Sequence, residues 1–202
     1  MKSVKSWMQI LTGLTVVGVT TIAQATASMP VGWYVEGNIG TSRSSGVSYA
    51  ANTSTSNNGL GWNLNLGYKF IPYFGAELGY TKYSDAYGKY QGTSVADDSH
   101  YALDIAGKGI FPLSDSGAEL FAKFGLARAH SHVTEQNASF VNSHGLVINT
   151  GSHSASSYYI GLGAEYAFMP NMLVNVQWAR AKGDSHTGRL DLYSVGLGYM
   201  FI

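Results

Sequence analysis

His130 and His132 are the pair in this sequence whose type and spacing come nearest to coordination chemistry. One intervening residue puts both imidazoles on the same side of an extended chain, which is a two-ligand start for zinc or copper. The other histidines are His100, His144, His153 and His186. The chain has no cysteine, and no tightly spaced carboxylate stands beside the pair to complete a site. No metal ion and no other cofactor is therefore expected, and the six histidines read as polar filler of exposed segments and strand tops. No phosphate-cradling glycine loop or dinucleotide fingerprint is present. No nucleophile, base and orienter can be picked out as a set, so catalysis is not expected either.

A second group of candidate residues is charged: Glu36, Lys69, Glu77, Asp104, Lys108, Glu119, Lys123 and Glu165. Each falls within a stretch of alternating apolar and small or polar residues, on the polar phase. Charges enclosed by protein must pair to be tolerated, so the chemistry they imply is a salt-bridged cluster. Which of them can meet depends on the elements that carry them.

Leu60 to Phe70 defines those elements. Leu60, Trp62, Leu64, Leu66, Tyr68 and Phe70 alternate with Gly61, Asn63, Asn65, Gly67 and Lys69. An extended strand sends alternate side chains to opposite faces, so one face is apolar and aromatic and the other small or polar. The same period recurs in Trp33 to Thr41, Phe74 to Tyr83, His100 to Phe111, Ala118 to Arg128, Tyr158 to Phe168, Met172 to Arg180 and Asp191 to Phe201. That predicts eight strands of roughly 9–12 residues, the length a tilted strand needs to cross a bilayer. In the strand from Leu60, aromatics flank a band of leucines, which is what the two water–lipid interfaces select.

Long polar links (42–59, 84–99, 129–157 and 181–190) alternate with short ones (71–73, 112–117 and 169–171). Pro72, Pro112 and Pro170 fall in the short set, where a missing backbone donor does no harm. Such alternation fits a transmembrane barrel with short periplasmic turns and long outer loops. Ahead of it, Lys2 and Lys5, an uncharged apolar stretch and small residues up to Ala27 predict a secretory signal peptide over residues 1–27, with the barrel domain at 28–202. Removal of Lys2 and Lys5 leaves ten basic against twelve acidic residues, a formal charge of −2 that offers nothing to nucleic acid.

The whole mature chain resembles the OmpA-like and OmpX-like eight-stranded outer-membrane β-barrels, membrane domain only. Glu119-Leu120-Phe121-Ala122-Lys123-Phe124-Gly125-Leu126-Ala127-Arg128 is similar to the fifth strand of that superfamily. Leu197, Tyr199 and Phe201 keep the family's terminal ladder, followed here by Ile202. The resemblance implies an all-β, up-and-down antiparallel barrel of a Gram-negative outer membrane, monomeric and surrounded by lipid and lipopolysaccharide. It implies a structural and surface-interaction role, adhesion or host-defence resistance, toward host or cell-surface ligands.

Two alternatives accompany that expectation. Glu36, Glu77, Lys108 and Glu165 lie three residues from the periplasmic ends of their strands and are expected to form one layer. Eight strands leave a bore that side chains just fill, so the layer reads as a plug, the alternative being a small, low-conductance porin. The second alternative is a lipid-modifying enzyme, since some eight-stranded barrels resemble lipid A deacylases with a His-x-Ser pair on the outer wall. None of the six histidines here is followed two places on by serine.

Overall fold

Strands form where the sequence alternates, and they continue beyond it. The computed structural model describes residues 30–45, 54–56, 58–90, 93–113, 116–135, 150–183 and 187–201. Its strands are β1 (Gly32–Ser45), β2 (Ser54–Ser56), β3 (Asn58–Ile71), β4 (Phe74–Lys82), β5 (Ala86–Tyr90), β6 (Thr93–Pro112), β7 (Ala118–Glu135), β8 (Gly151–Met169), β9 (Met172–Lys182) and β10 (Arg189–Met200). Eight of them close a ring in the order β6-β4-β3-β1-β10-β9-β8-β7, with β7 returning to β6. Each neighbouring pair in it is antiparallel. Closure satisfies every wall strand on both sides, the condition for a sheet to stand in lipid. The expected signal peptide at residues 1–27 lies outside the described residues.

Burial is inverted relative to a water-soluble sheet. Leu64, Ile105, Phe124 and Leu162 are at least half exposed on the outside, while Glu36, Lys108 and Lys123 are almost wholly buried inside. Aromatic rings collar both ends of the apolar band. At one end Trp33, Tyr68, Phe70 and Phe74 touch in sequence at centroid distances of 5.1, 5.0 and 6.1 Å. At the other, Trp62, Tyr80 and Tyr101 do so at 5.5 and 5.8 Å.

Three strands exceed their alternation by the most. β6, β7 and β8 run to 20, 18 and 19 residues, taking in much of the spans expected as loops at 84–99 and 129–157. The β6–β7 ladder extends to Ala96↔Glu135 and the β7–β8 ladder to Val133↔Gly151. β5 pairs with the upper part of β6, and β2 pairs with β5. Together these segments form a sheet that rises past the aromatic collar on one side of the barrel, here called the crest. In the crest both faces carry small and polar residues, so the hydrophobic contrast that marks the wall strands is absent while the backbone ladder persists.

Candidate functional site

Inward-facing positions of the wall meet across the bore. Lys108 on β6 places Nζ 3.0 Å from Glu36 Oε1, 2.8 Å from Glu165 Oε2 and 3.5 Å from Glu77 Oε1. Lys123 on β7 lies 2.5 Å from Glu77 Oε2 and 3.7 Å from Glu36 Oε2. The four residues expected in one layer thus lie within one cluster, which Lys123 joins. Lys69 and Glu119 form a separate pair at 3.1 Å. Asp104 sits over Gly79, where an added Cβ would meet its carboxylate. Among the described residues no lysine or arginine comes within ion-pair distance of it.

Two aromatic residues complete the cluster, and alternation alone assigned neither a role. Tyr34 donates its hydroxyl proton to Glu77 Oε1 at 2.7 Å, and the Lys108 ammonium is 5.1 Å from its ring. Phe121 turns inward beneath both lysines, 4.5 Å from Lys108 and 5.1 Å from Lys123. Ring faces attract cations most when water is excluded, so the aromatic residues help the carboxylates offset the cost of burying two ammonium groups. The signal available in the sequence was their phase: both fall on the polar side of their strands.

Apolar side chains close the bore on either side of the charges. Tyr34, Ala167, Leu173 and Met200 pack as a floor. Tyr83, Tyr159, Leu190 and Leu192, with a ring of alanines, pack as a roof. The void bordered by Tyr34, Glu36, Lys69 and Lys108 measures about 10 Å³, barely one water. This arrangement braces opposite walls of the barrel.

The histidines divide into four groups. His144 and His186 lie outside the described residues. His100 is not exposed filler: it is fully buried on β6, with Nε2 3.2 Å from Asp98 Oδ2, while Asp98 Oδ1 accepts from Ser131 Oγ at 2.6 Å. The crest encloses it because β6 remains a strand above the wall. His130 and His132 face outward on β7, each with Nδ1 2.7 Å from a serine hydroxyl, Ser154 and Ser152 respectively. The His130 ring also stacks on Tyr101 at 4.6 Å. His153 is half-buried on β8. These four therefore belong to crest strands rather than loops.

A serine bonded to an imidazole is half of a nucleophile–base arrangement. Among the described residues neither His130 nor His132 is bonded to a carboxylate that would orient it as a base. Nor, among those residues, does any group of three or more His, Cys, Asp or Glu side chains converge as a metal site.

Solved structures similar to this chain share its architecture. OprG of Pseudomonas aeruginosa is 14% identical, with a TM-score of 0.62, over 87% of this chain and 98% of that one. Ail, the attachment invasion locus protein of Yersinia pestis, is 16% identical with a TM-score of 0.56, over 86% of this chain and all of that one. Ail in complex with the heparin analogue sucrose octasulfate aligns at 0.51 over 84% and 99% of the two chains, also at 16% identity. At such identities the likeness is one of fold. No curated protein matches the sequence. The profile of the outer membrane protein beta-barrel domain matches residues 12–201. With the closed eight-stranded ring and its apolar outer band, that match makes the chain a member of the outer membrane protein β-barrel domain family.

Proposed function

We propose that the protein is a surface-interaction barrel of a Gram-negative outer membrane, exported by a cleaved signal peptide, whose crest meets ligands outside the cell in adhesion or resistance to host defences. The observation that carries this reading is the crest itself. From Tyr101, at the aromatic collar, β6 continues paired with β7 for five residues to Ala96, about 17 Å along the strand. A wall that needed only to span the bilayer would turn at the collar. The lumen below is filled by its own ion pairs, which favours a bracing role over the porin alternative. No complete catalytic set supports the enzyme alternative.

The outward face of the crest carries His130 and His132 beside Ser152 and Ser154. Imidazoles gain charge within the physiological range, and anionic glycans are ligands such a face would take in mild acid. The solved complex of Ail with a heparin analogue is an example of a similarly folded barrel with a polysulfated ligand. The test is binding of the refolded protein to immobilised heparin at pH 7.5 and 5.5. Stronger binding at the lower pH, lost in the His130→Gln/His132→Gln variant, supports the reading. Absence of binding at both pH values, or an unchanged response in the double variant, removes the crest as an electrostatic contact surface.

A further inference from the structure

On the side of the barrel away from the crest, the strand register gathers a second charged group. Arg43 on β1, Asp191 on β10 and Arg180 on β9 are direct cross-strand partners in one row. Ser45, Arg189 and Lys182 form the next row outward. All four cations lie on outward-facing positions. Asp191 holds Arg180 through Nε at 2.6 Å and Nη2 at 3.2 Å, and also accepts from the Trp178 indole at 3.1 Å. Arg180 is thereby fixed over the Trp178 ring, 4.9 Å from its centre. Arg189 reaches Asp191 only at 3.6 Å. Lys182 leans over Tyr158 at 5.3 Å. Among the described residues the patch sets four cations around a single carboxylate.

Its height identifies what it would meet. The row just inside it is Thr41, Tyr193 and Trp178, again direct partners, and Trp178 and Tyr193 belong to the outer aromatic collar. The row of Arg43 and Arg180 is two residues farther out, about 7 Å along the strand. Headgroup zones extend roughly 5–8 Å beyond the hydrocarbon on each side. The cations therefore stand at the level of lipid headgroups rather than in open solvent. Among the described residues across the barrel, Lys82 at comparable height is neutralised by Asp85 at 2.8 Å and Arg128 on β7 is a single exposed cation, so the positive charges are clustered on β1, β10 and β9.

We infer that Arg43, Lys182 and Arg189, arranged around the Arg180–Asp191 pair, form a binding site for the phosphorylated headgroup of an outer-leaflet lipid. The guanidinium groups supply paired donors to phosphate oxygens, and Lys182 adds a mobile point charge. Trp178 and Tyr158 beneath them fit the interfacial part of the same lipid. The site is independent of the crest and of its glycan ligand.

The probe is diphosphoryl lipid A, doped into phosphatidylcholine nanodiscs that hold the refolded chain, with lipid retained per protein read by native mass spectrometry. Retention is expected to fall at least about tenfold in Arg43→Gln/Lys182→Gln/Arg189→Gln, since each basic residue near a charged surface contributes about fivefold. It should fall less with monophosphoryl lipid A, and stay within about twofold of the unmodified protein in Lys82→Gln. If the triple variant does not fold, as judged by its heat-dependent shift on a gel, Arg43→Gln and Lys182→Gln singly carry the test at about fivefold each. Equal retention by the rim and Lys82 variants would overturn the site as local. Displacement of lipid A by equimolar inorganic phosphate or sucrose octasulfate would make it a site for soluble anions and overturn the lipid assignment.

Discussion

Lys69 on β3 and Glu119 on β7 meet across the bore at 3.1 Å, fifty residues apart in sequence and both almost wholly buried. Their strands are not neighbours in the ring, since β4 and β6 stand between them. The pair is a strut between walls that share no backbone hydrogen bond. Removing one partner strands the other charge in the lumen. Glu119→Ala should therefore cost about 3–5 kcal/mol, whereas Lys69→Met with Glu119→Met should be near neutral. Urea unfolding from lipid vesicles, followed by tryptophan fluorescence, checks both.

Conductance gives a separate outcome. With the charged layer packed between the Tyr34 and Tyr83 clusters, single-channel recordings are expected to show no steady pore. Lys108→Ala leaves Glu36, Glu77 and Glu165 without their shared cation and should destabilise the barrel before any current appears. A stable conductance in the unmodified protein would favour the porin reading.

The outer wall and the lumen should answer differently to the same substitution. Leu64→Lys and Leu162→Lys put a cation into hydrocarbon and should cost about 2–4 kcal/mol near mid-membrane. Asn65→Lys places its charge inside, beside Glu36, its cross-strand partner, and should cost less. Refolding yield into lipid separates the two cases, and equal losses would mean that the wall has been read inside out.

Glycine substitutions test the packing between strands. Gly37 faces lipid, and an added Cβ there meets nothing within 4 Å, so Gly37→Ala should be neutral or gain up to about 1 kcal/mol. At Gly125 the same Cβ would strike the carbonyl oxygen of Ile105, which is backbone and cannot swing away. Gly125→Ala should lower the unfolding midpoint in the same assay.

On the crest, burial first and then Asp85 and Asp98 raise the pKa of Asp97 above the ordinary aspartate value. A carboxyl raised in the folded state contributes stability below its unfolded pKa and loses it as pH rises through the folded one. Asp97→Asn should thus slow proteolysis of the crest at pH 7 and leave it unchanged near pH 3. The side chain is only half-buried, so the gain should not exceed about 0.5 kcal/mol.

Alternation by itself determined which chain segments span the membrane, which face of each meets lipid, and which charges enter the lumen. A period of two admits no other sorting, and an inward Glu36 or Lys108 follows from its neighbours alone. The alternating long and short links likewise made an antiparallel barrel the economical topology. Sequence could not say that Lys69 reaches Glu119 rather than another carboxylate, because partners across a bore depend on ring closure and strand stagger. Nor could it show the crest, where Ser, His and Ala occupy both faces and only the ladder with neighbouring strands marks a strand. His100 illustrates the consequence: its polar surroundings in sequence suggested exposure, and pairing of β6 with β7 buries it against Asp98 and Ser131. Arg43, Arg180 and Arg189 lie far apart or unremarked along the chain, and only the register of β1, β10 and β9 gathers them around Asp191.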